Sequence, residues 1–175
     1  MNTKAFENSF MEKVMEDEAW KKLSEDFPWT EKMLEKYQDK VDWEEVSGNW
    51  HIIWTPSMLD KFKRRIDWSK LSGREEETLM ATENIERFKD YWDWKELSNN
   101  DALEWSIPLI ELFIDYWDWE RLINSYKLSE TMLDSKFFER FKDHIPASKL
   151  QDSRLWDNMV EAKKKKVMAQ IVSEA

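Results

Sequence analysis

The sequence is dominated by one recurring segment, of which residues 88–100, FKDYWDWKELSNN, are a clear copy. The marker tryptophan of this segment falls at Trp20, Trp43, Trp68, Trp94 and Trp119, and Ala147 stands where a sixth would be. Successive markers are 23, 25, 26, 25 and 28 residues apart. A period of this length is typical of repeat proteins, in which each repeat buries its apolar face by packing on its neighbours. The first and sixth copies are degenerate, as is usual for terminal repeats.

Each repeat begins with a predicted amphipathic helix. Its N-cap is expected at residues whose side-chain oxygen can accept a backbone N–H, namely Thr30, Thr55, Ser106 and Asp134. The third start, near Ala81 or Thr82, is less clearly marked. After the cap, apolar residues follow the i, i+3, i+7 spacing of a single helix face, as at Leu34, Tyr37 and Val41.

A sharp corner and a one-turn helix are predicted to follow. The N-caps of this short helix are expected at Asp42, Asp67, Asp93 and Asp118, with capping boxes completed by Glu45 and Glu96. Gly48 and Gly73 stand where a left-handed residue often ends a helix. Because so short a helix is unstable alone in water, its tryptophan is expected to be buried against neighbouring helices.

The pattern DWxxLSxN, followed by a loop and then Trp-Ser as in residues 93–106, resembles the tryptophan-rich helical repeats of uncharacterised proteins from bacteria and large DNA viruses. The resemblance extends over about residues 20–150 and departs from the pattern at Pro146-Ala147 and at the longer connection 124–132. The motif carries no catalytic residue, so the resemblance implies an architecture and an interaction role.

We therefore predict an all-α fold, an α-solenoid of about six short helical-hairpin repeats, each a longer helix plus a one-turn helix. One domain is expected over 1–175, with a C-terminal capping helix at 151–175. Within that last helix, Lys163, Lys164, Lys165 and Lys166 span a full turn, so at least one lysine must point toward its apolar side. A solvated helix end is favoured there over a nucleic-acid or membrane patch.

Composition limits the function classes. Two glycines cannot form a phosphate-binding loop, and zero cysteines exclude thiolate chemistry and disulfides. His51 and His144 lie in different repeats without ligand spacing, so surface histidines are favoured over metal ligands. We expect no enzyme activity, no cofactor and no metal. The N-terminal residues contain acids and no apolar run, which predicts neither a signal peptide nor a membrane helix and suggests a cytoplasmic protein.

The tryptophans have two possible roles, as part of the apolar core or as a surface on which a ligand stacks. Indoles can stack on sugars or bases, but periodic aromatics are usually core, which favours burial of Trp43, Trp68, Trp94 and Trp119. Two tryptophans outside the register, Trp50 and Trp156, are better candidates for exposure. An acidic middle segment also repels phosphate, which argues against direct nucleic-acid binding.

The net charge of −10 is concentrated in the middle of the chain. Between residues 90 and 120 there are nine acids and one lysine. The candidate partner-binding residues are Asp90, Asp101, Glu104, Glu111, Asp115, Glu120 and Trp50. Two hypotheses remain open: a protein-protein interaction module whose acidic surface binds a basic partner, and a phage- or viral-type inhibitor whose acids mimic nucleic acid. Sequence leaves the oligomeric state and the identity of the partner open.

Overall fold

The computed structural model describes residues 3–129 and 131–174, with side chains for residues 8–129 and 131–174. All regular secondary structure in these residues is α-helical, which confirms the predicted all-α class. The helices are α1 Thr3–Asp26, α2 Glu31–Tyr37, α3 Trp43–Gly48, α4 Pro56–Phe62, α5 Trp68–Ser72, α6 Thr82–Arg87, α7 Trp94–Leu97, α8 Ile107–Leu112, α9 Trp119–Leu122, α10 Ser135–Phe141, α11 Ala147–Leu150 and α12 Arg154–Glu174.

The chain divides into two compact units, Met1–Trp92 and Asp93–Ala175. The first contains α1 to α6 and the second α7 to α12. Within each unit, helices of six or seven residues alternate with helices of four to six residues. A single domain over 1–175 stays a prediction.

The predicted caps of the longer helices are confirmed. Side-chain oxygens of Thr30, Thr55, Ser106 and Asp134 accept backbone N–H groups in the first turn of α2, α4, α8 and α10. Ala81 precedes α6 and makes no side-chain cap. The longer helices are only about two turns long. Each ends before the last apolar residue of its stripe, which lies in the turn that follows. The helical bonding pattern nevertheless persists there, since the Val41 amide donates to the Tyr37 carbonyl at 3.1 Å.

The short helices are capped by the aspartates, as predicted. Side-chain oxygens of Asp42, Asp67, Asp93 and Asp118 accept N–H groups of α3, α5, α7 and α9. The predicted capping box at Glu45 is wrong, because the Asp42 amide donates to Ser24 Oγ at 2.9 Å. Glu45 instead lies 3.5 Å from Lys21.

The serine of the DWxxLS motif joins successive repeats at three places. Its hydroxyl donates to the carbonyl of the motif tryptophan four residues earlier and accepts the backbone N–H of the following capping aspartate. The hydroxyl-to-amide contacts, each 2.9 Å, join Ser24 to Asp42, Ser47 to Asp67 and Ser98 to Asp118. All three serines are fully buried, so the motif serine is a structural connector.

Side chains that follow the short helices provide a second tie. The Asn49 amide donates to the carbonyls of Ser24 and Phe27 at 2.8 and 2.9 Å. One repeat later, the Arg74 guanidinium donates to the carbonyls of Asn49 and Ile52 at 2.7 and 2.9 Å. Both donors therefore satisfy two carbonyls, three residues apart, at or just after the end of a helix in the preceding repeat. Buried carbonyls need such partners, since an unpaired one costs about 1–3 kcal/mol.

The glycines do not have the conformation that was predicted. Neither Gly48 nor Gly73 has a positive φ, and the expected left-handed helix ends are therefore wrong. Gly73 has φ −84° and ψ −3°, which any residue adopts. The chain leaves α5 through a tight turn, in which the Arg74 amide donates to the Leu71 carbonyl at 3.2 Å.

Burial of the motif tryptophans also differs from the prediction. Trp119 is buried, whereas Trp43, Trp68 and Trp94 are half-buried. The other buried indoles precede the caps or end the apolar stripe: Trp29, Trp54, Trp92 and Trp117. The motif indoles lie across the next longer helix, with Trp43 5.1 Å from Phe62 and Trp94 5.1 Å from Phe113 between ring centroids. Their indole N–H groups donate to backbone carbonyls five residues earlier, which keeps one ring edge near the surface.

The two long helices differ from the rest. Trp20 lies inside α1 with no corner before it, because Ala19 occupies the position at which later repeats place the capping aspartate. The helix predicted at 151–175 is present as α12, Arg154–Glu174. Leu155 is fully buried, whereas the side chains of residues 160–174 are exposed.

Candidate functional site

All seven predicted site residues are exposed. Trp50 and Asp90 belong to the first compact unit, and Asp101, Glu104, Glu111, Asp115 and Glu120 belong to the second. Some of the acids among these residues form ion pairs within the fold and others do not. Only the second group is available to a ligand.

Three of the six acids form ion pairs with bases about one repeat further along the chain. Asp101 pairs with Lys127, Glu111 with Arg140 at 2.6 Å, and Glu120 with Lys149 at 2.9 Å. The hydrogen bond that Lys149 donates to the Glu120 carboxylate raises the pKa of Lys149 above its usual value. These carboxylates are already neutralised, so they contribute less to an acidic surface than their number suggests.

The first unit contains the same arrangement. Lys61 lies 2.7 Å from Glu31 and 3.3 Å from Glu35. Arg65 lies 2.8 Å from Asp39, again across one repeat. The acid precedes its base by 24–30 residues in most of these pairs, a spacing that alignment of the repeats could have shown. A count of acids by region does not reveal these ion pairs, because it ignores the position of each acid within its repeat.

Three predicted acids have no ion pair among residues 8–129 and 131–174: Asp90, Glu104 and Asp115. Two of them precede exposed tyrosines, Tyr91 and Tyr116, which are 39% and 36% exposed. The Tyr116 ring packs on Trp94, with centroids 4.8 Å apart, and this contact holds it beside Asp115. The second unit therefore presents two carboxylates without a cation partner and a fixed aromatic ring.

Trp50 is supported by a buried cation. The indole is 66% exposed, and the Arg74 guanidinium carbon lies 5.6 Å from the centre of its ring. Burial lowers the pKa of Arg74, and Glu76 at 2.9 Å opposes that shift. A cation against an indole face is worth about 0.5–1 kcal/mol at an exposed site. Sequence analysis chose Trp50 for its position outside the register and missed Arg74, which fixes it.

The second unit repeats this arrangement with other residues. Tyr126 is 84% exposed, and the Arg154 guanidinium carbon lies 5.0 Å from its ring centre. Arg154 donates to the carbonyls of Ser125 and Leu128, as Arg74 does to Asn49 and Ile52. Each unit therefore carries an exposed aromatic ring over an arginine that donates to two backbone carbonyls.

The histidines have different surroundings. His51 is exposed, and His144 stacks on Trp119 with ring centroids 5.4 Å apart and an interplanar angle of 25°. Within the described part of the chain, no group of three or more histidine, aspartate or glutamate side chains is placed to hold a metal ion. The exposed groups of the candidate site are thus carboxylates and aromatic rings.

Comparison with protein-family models, curated proteins and solved structures finds no match. The resemblance to tryptophan-rich DWxxLS repeats therefore stays a prediction. Among the described residues, no helix has both the length and the apolar character needed to cross a membrane.

Proposed function

We propose that this protein is a non-enzymatic, cytoplasmic interaction module whose acidic surface binds a basic protein. Its proposed architecture is an α-solenoid of about six helical-hairpin repeats, supported by the buried serine hydroxyls that join repeats at three places. The observation that carries the proposal is two exposed acids without an ion pair among the described residues, Glu104 and Asp115, of which Asp115 directly precedes the exposed ring of Tyr116.

The chemistry of this surface fits a lysine or arginine side chain. A guanidinium can pair with a carboxylate and at the same time lie over an aromatic face, and tyrosine is enriched in protein interfaces. Asp115 and Tyr116 offer both groups in adjacent positions. An exposed charge pair contributes more to association rate and specificity than to affinity, so the complex should be sensitive to salt.

The ion pairs that acids form within the fold favour binding of a basic protein over mimicry of nucleic acid. A mimic presents a continuous row of free negative charges to a basic channel. Here Asp101, Glu111 and Glu120 are occupied by Lys127, Arg140 and Lys149, which leaves free acids that are few and separated. The mimic remains the alternative outcome of the experiment below.

The experiment compares two variants with the same charge change. Glu104→Lys/Asp115→Lys alters the proposed surface, whereas Glu75→Lys/Glu83→Lys alters two exposed acids outside it. Binding to a fluorescent peptide of alternating lysine and arginine is measured by anisotropy at about 0.05 and 0.2 M salt, where screening of exposed charges differs. We expect the first variant to weaken binding about tenfold, the loss of roughly one good surface contact, and the control to weaken it much less.

Equal weakening by both variants would show that only net charge matters and would contradict the proposed site. Salt-insensitive binding would contradict the electrostatic mechanism. A basic nucleic-acid-binding protein captured on the immobilised chain is then competed with duplex DNA. Displacement by DNA would support the mimic, and persistence of the complex would support an ordinary protein-binding module.

A further inference from the structure

Helix α1 exposes an apolar surface that none of the described residues covers. Its side chains form two adjacent rows at i, i+4 spacing, with Phe10 and Val14 in one and Met11 and Met15 in the other. They are 45–59% exposed. The packing contacts of α1 are made nearer its C-terminal end, where Trp20 lies 5.5 Å from the Tyr37 ring.

Helix α12 exposes a second apolar surface. Val160, Val167 and Ile171 follow the i, i+7, i+11 spacing of one helix face, and Met168 and Val172 lie beside them. Ile171 and Val172 are 62% and 75% exposed. The side chains of residues 160–174 are all exposed, so this face also lacks a partner in the described part of the chain.

The two apolar surfaces carry opposite charge. Residues 8–18 of α1 contain four acids and one lysine, and Asp17 and Glu18 lie one turn beyond Val14 and Met15. Residues 158–174 of α12 contain four lysines and two acids, and Lys164 lies in the apolar stripe between Val160 and Val167. Pairing α12 with another α12 would bring lysines together, and pairing α1 with α1 would bring acids together. Charge therefore selects α12 as the complement of α1.

We propose that the protein associates with itself head to tail, with the apolar face of α1 in one copy packed on the apolar face of α12 in a second copy. The aliphatic and aromatic side chains bury one another. Lys164 pairs with Glu161 of its own helix, and Lys163, Lys165 and Lys166 meet Asp17. This contact is heterologous, so each bound copy still presents one free α1 or α12 face, and association continues unless the chain of copies closes into a ring.

The interface is small. Two helix faces of four or five apolar residues each fall in the class of small contacts, which bury less than about 1,200 Å² in total and are usually weak or transient. We expect dissociation constants on the order of 10–100 µM, weakened by salt because part of the attraction is electrostatic.

The first experiment is sedimentation velocity of the full chain at low salt, over a range of protein concentrations spanning that affinity. The wild-type protein should increase in average mass with concentration and pass beyond the dimer. Phe10→Glu and Ile171→Lys each place a charge in one apolar face while keeping the sign of its surroundings, and each should raise the dissociation constant at least tenfold. Ile53→Lys, at a residue 74% exposed in a loop, is the matched control and should associate like wild type.

The second experiment mixes the two variants. Phe10→Glu retains an intact α12, and Ile171→Lys retains an intact α1, so an equimolar mixture has one functional interface. The mixture should form a dimer with wild-type affinity and stop at the dimer, although neither variant associates alone. Circular dichroism of each variant confirms that the exposed substitutions leave the helices intact.

Several results would overturn the proposal. A wild-type mass that stays at one chain over the whole range would do so, as would association that either variant leaves unchanged. Failure of the mixture to form a dimer would exclude the heterologous contact. Wild-type protein that stays monomeric but sediments with vesicles of anionic phospholipid would show that the basic α12 face binds a membrane surface instead.

Discussion

Ser47 shows how one hydroxyl joins two repeats. Its hydrogen is donated to the Trp43 carbonyl at 2.6 Å, and its oxygen accepts the Asp67 amide at 2.9 Å. A serine in a helix often bonds to the carbonyl four residues earlier, where it offers little stability. Here the same hydroxyl also accepts the Asp67 amide of the next repeat, so a residue of modest helix preference supplies the connection.

Replacement of Ser47 by alanine should destabilise the protein by about 1–3 kcal/mol, because a buried backbone N–H loses its acceptor. The measurement is the free energy of unfolding in denaturant. Ser69→Ala is the matched control, since Ser69 lies in the short helix α5 but is exposed. A cost for Ser69→Ala as large as that for Ser47→Ala would mean that helix propensity, not the hydrogen bond, sets the result.

Trp94 and Trp50 test which indoles hold the fold together. Trp94 is half-buried against Phe113, Tyr116 and Trp117, so Trp94→Ala should cost about 3 kcal/mol, the lower end of the range for large aromatic residues in a core. Trp50→Ala should cost no more than about 1 kcal/mol, the value of its contact with Arg74. The free energy of unfolding of both variants is measured by denaturant titration. Equal costs would show that the aromatic contacts of Trp94 contribute no more than an exposed ring.

At the scale of elements, ion pairs link helices of successive repeats. Lys61 of α4 reaches Glu31 and Glu35 of α2, and Lys70 of α5 lies 3.4 Å from Glu44 of α3. Each exposed pair contributes little by itself, typically about 0–1 kcal/mol. In most of them the acid lies in the earlier repeat, with Lys21–Glu45 the exception, and this asymmetry favours one order of neighbours over the reverse and therefore adds specificity.

The Glu31–Lys61 pair should be visible in a titration. The hydrogen bond from Lys61 lowers the pKa of the Glu31 carboxyl, and a bond from Ser57 lowers it further. Because the folded pKa lies below the unfolded one, the pair stabilises the fold above the unfolded pKa, and that contribution is lost as pH falls through the folded pKa. The pKa of Lys61 is raised, so its contribution is lost only in strongly alkaline solution.

Lys61→Met should therefore raise the pKa of Glu31 toward its usual value without fully restoring it, since the Ser57 bond remains. The pKa is measured from the carboxyl carbon shift by nuclear magnetic resonance. Lys70→Met, which removes the partner of Glu44, should leave the Glu31 titration unchanged. A pKa of Glu31 that is the same in wild type and Lys61→Met would show that the pair does not form in solution.

In the last repeats, the serine acceptor and the amide donor of the hydrogen bond between repeats are both replaced. Position 123, where earlier repeats place the connecting serine, holds the buried Ile123. Pro146 stands at the following capping position and has no N–H to donate. An aspartate amide facing isoleucine would lack an acceptor, and a serine facing proline would lack that donor. The combination avoids both penalties.

At the scale of the whole molecule, the acidic composition has two physical consequences. A net charge of −10 favours solubility, and the ion pairs between repeats offset part of the repulsion within the fold. Among the described residues, charges without an ion pair include the acids Glu104 and Asp115 and three lysines of α12, Lys163, Lys165 and Lys166. The two proposed interactions use these regions separately: a basic partner for the acids, and a second copy of the chain for α12.

The local structure was determined largely by the sequence itself. Capping side chains, apolar spacing and the period near 25 residues predicted the all-α class, the caps of eight helices and the order of longer and shorter helices. These features depend on residues within a few positions of one another, and so their effect can be inferred from short segments. Exposure of Trp50 was also predicted from its position outside the register.

The partners across repeats were decided only by the tertiary structure. The acceptor of the Asp42 amide is Ser24 and not Glu45, and the acids counted as a free surface include Asp101, Glu111 and Glu120, which are paired with bases. Burial of an indole likewise depends on the helix that lies over it. Such contacts join residues 18–29 positions apart, and their geometry is set by how the helices pack, which no local pattern specifies.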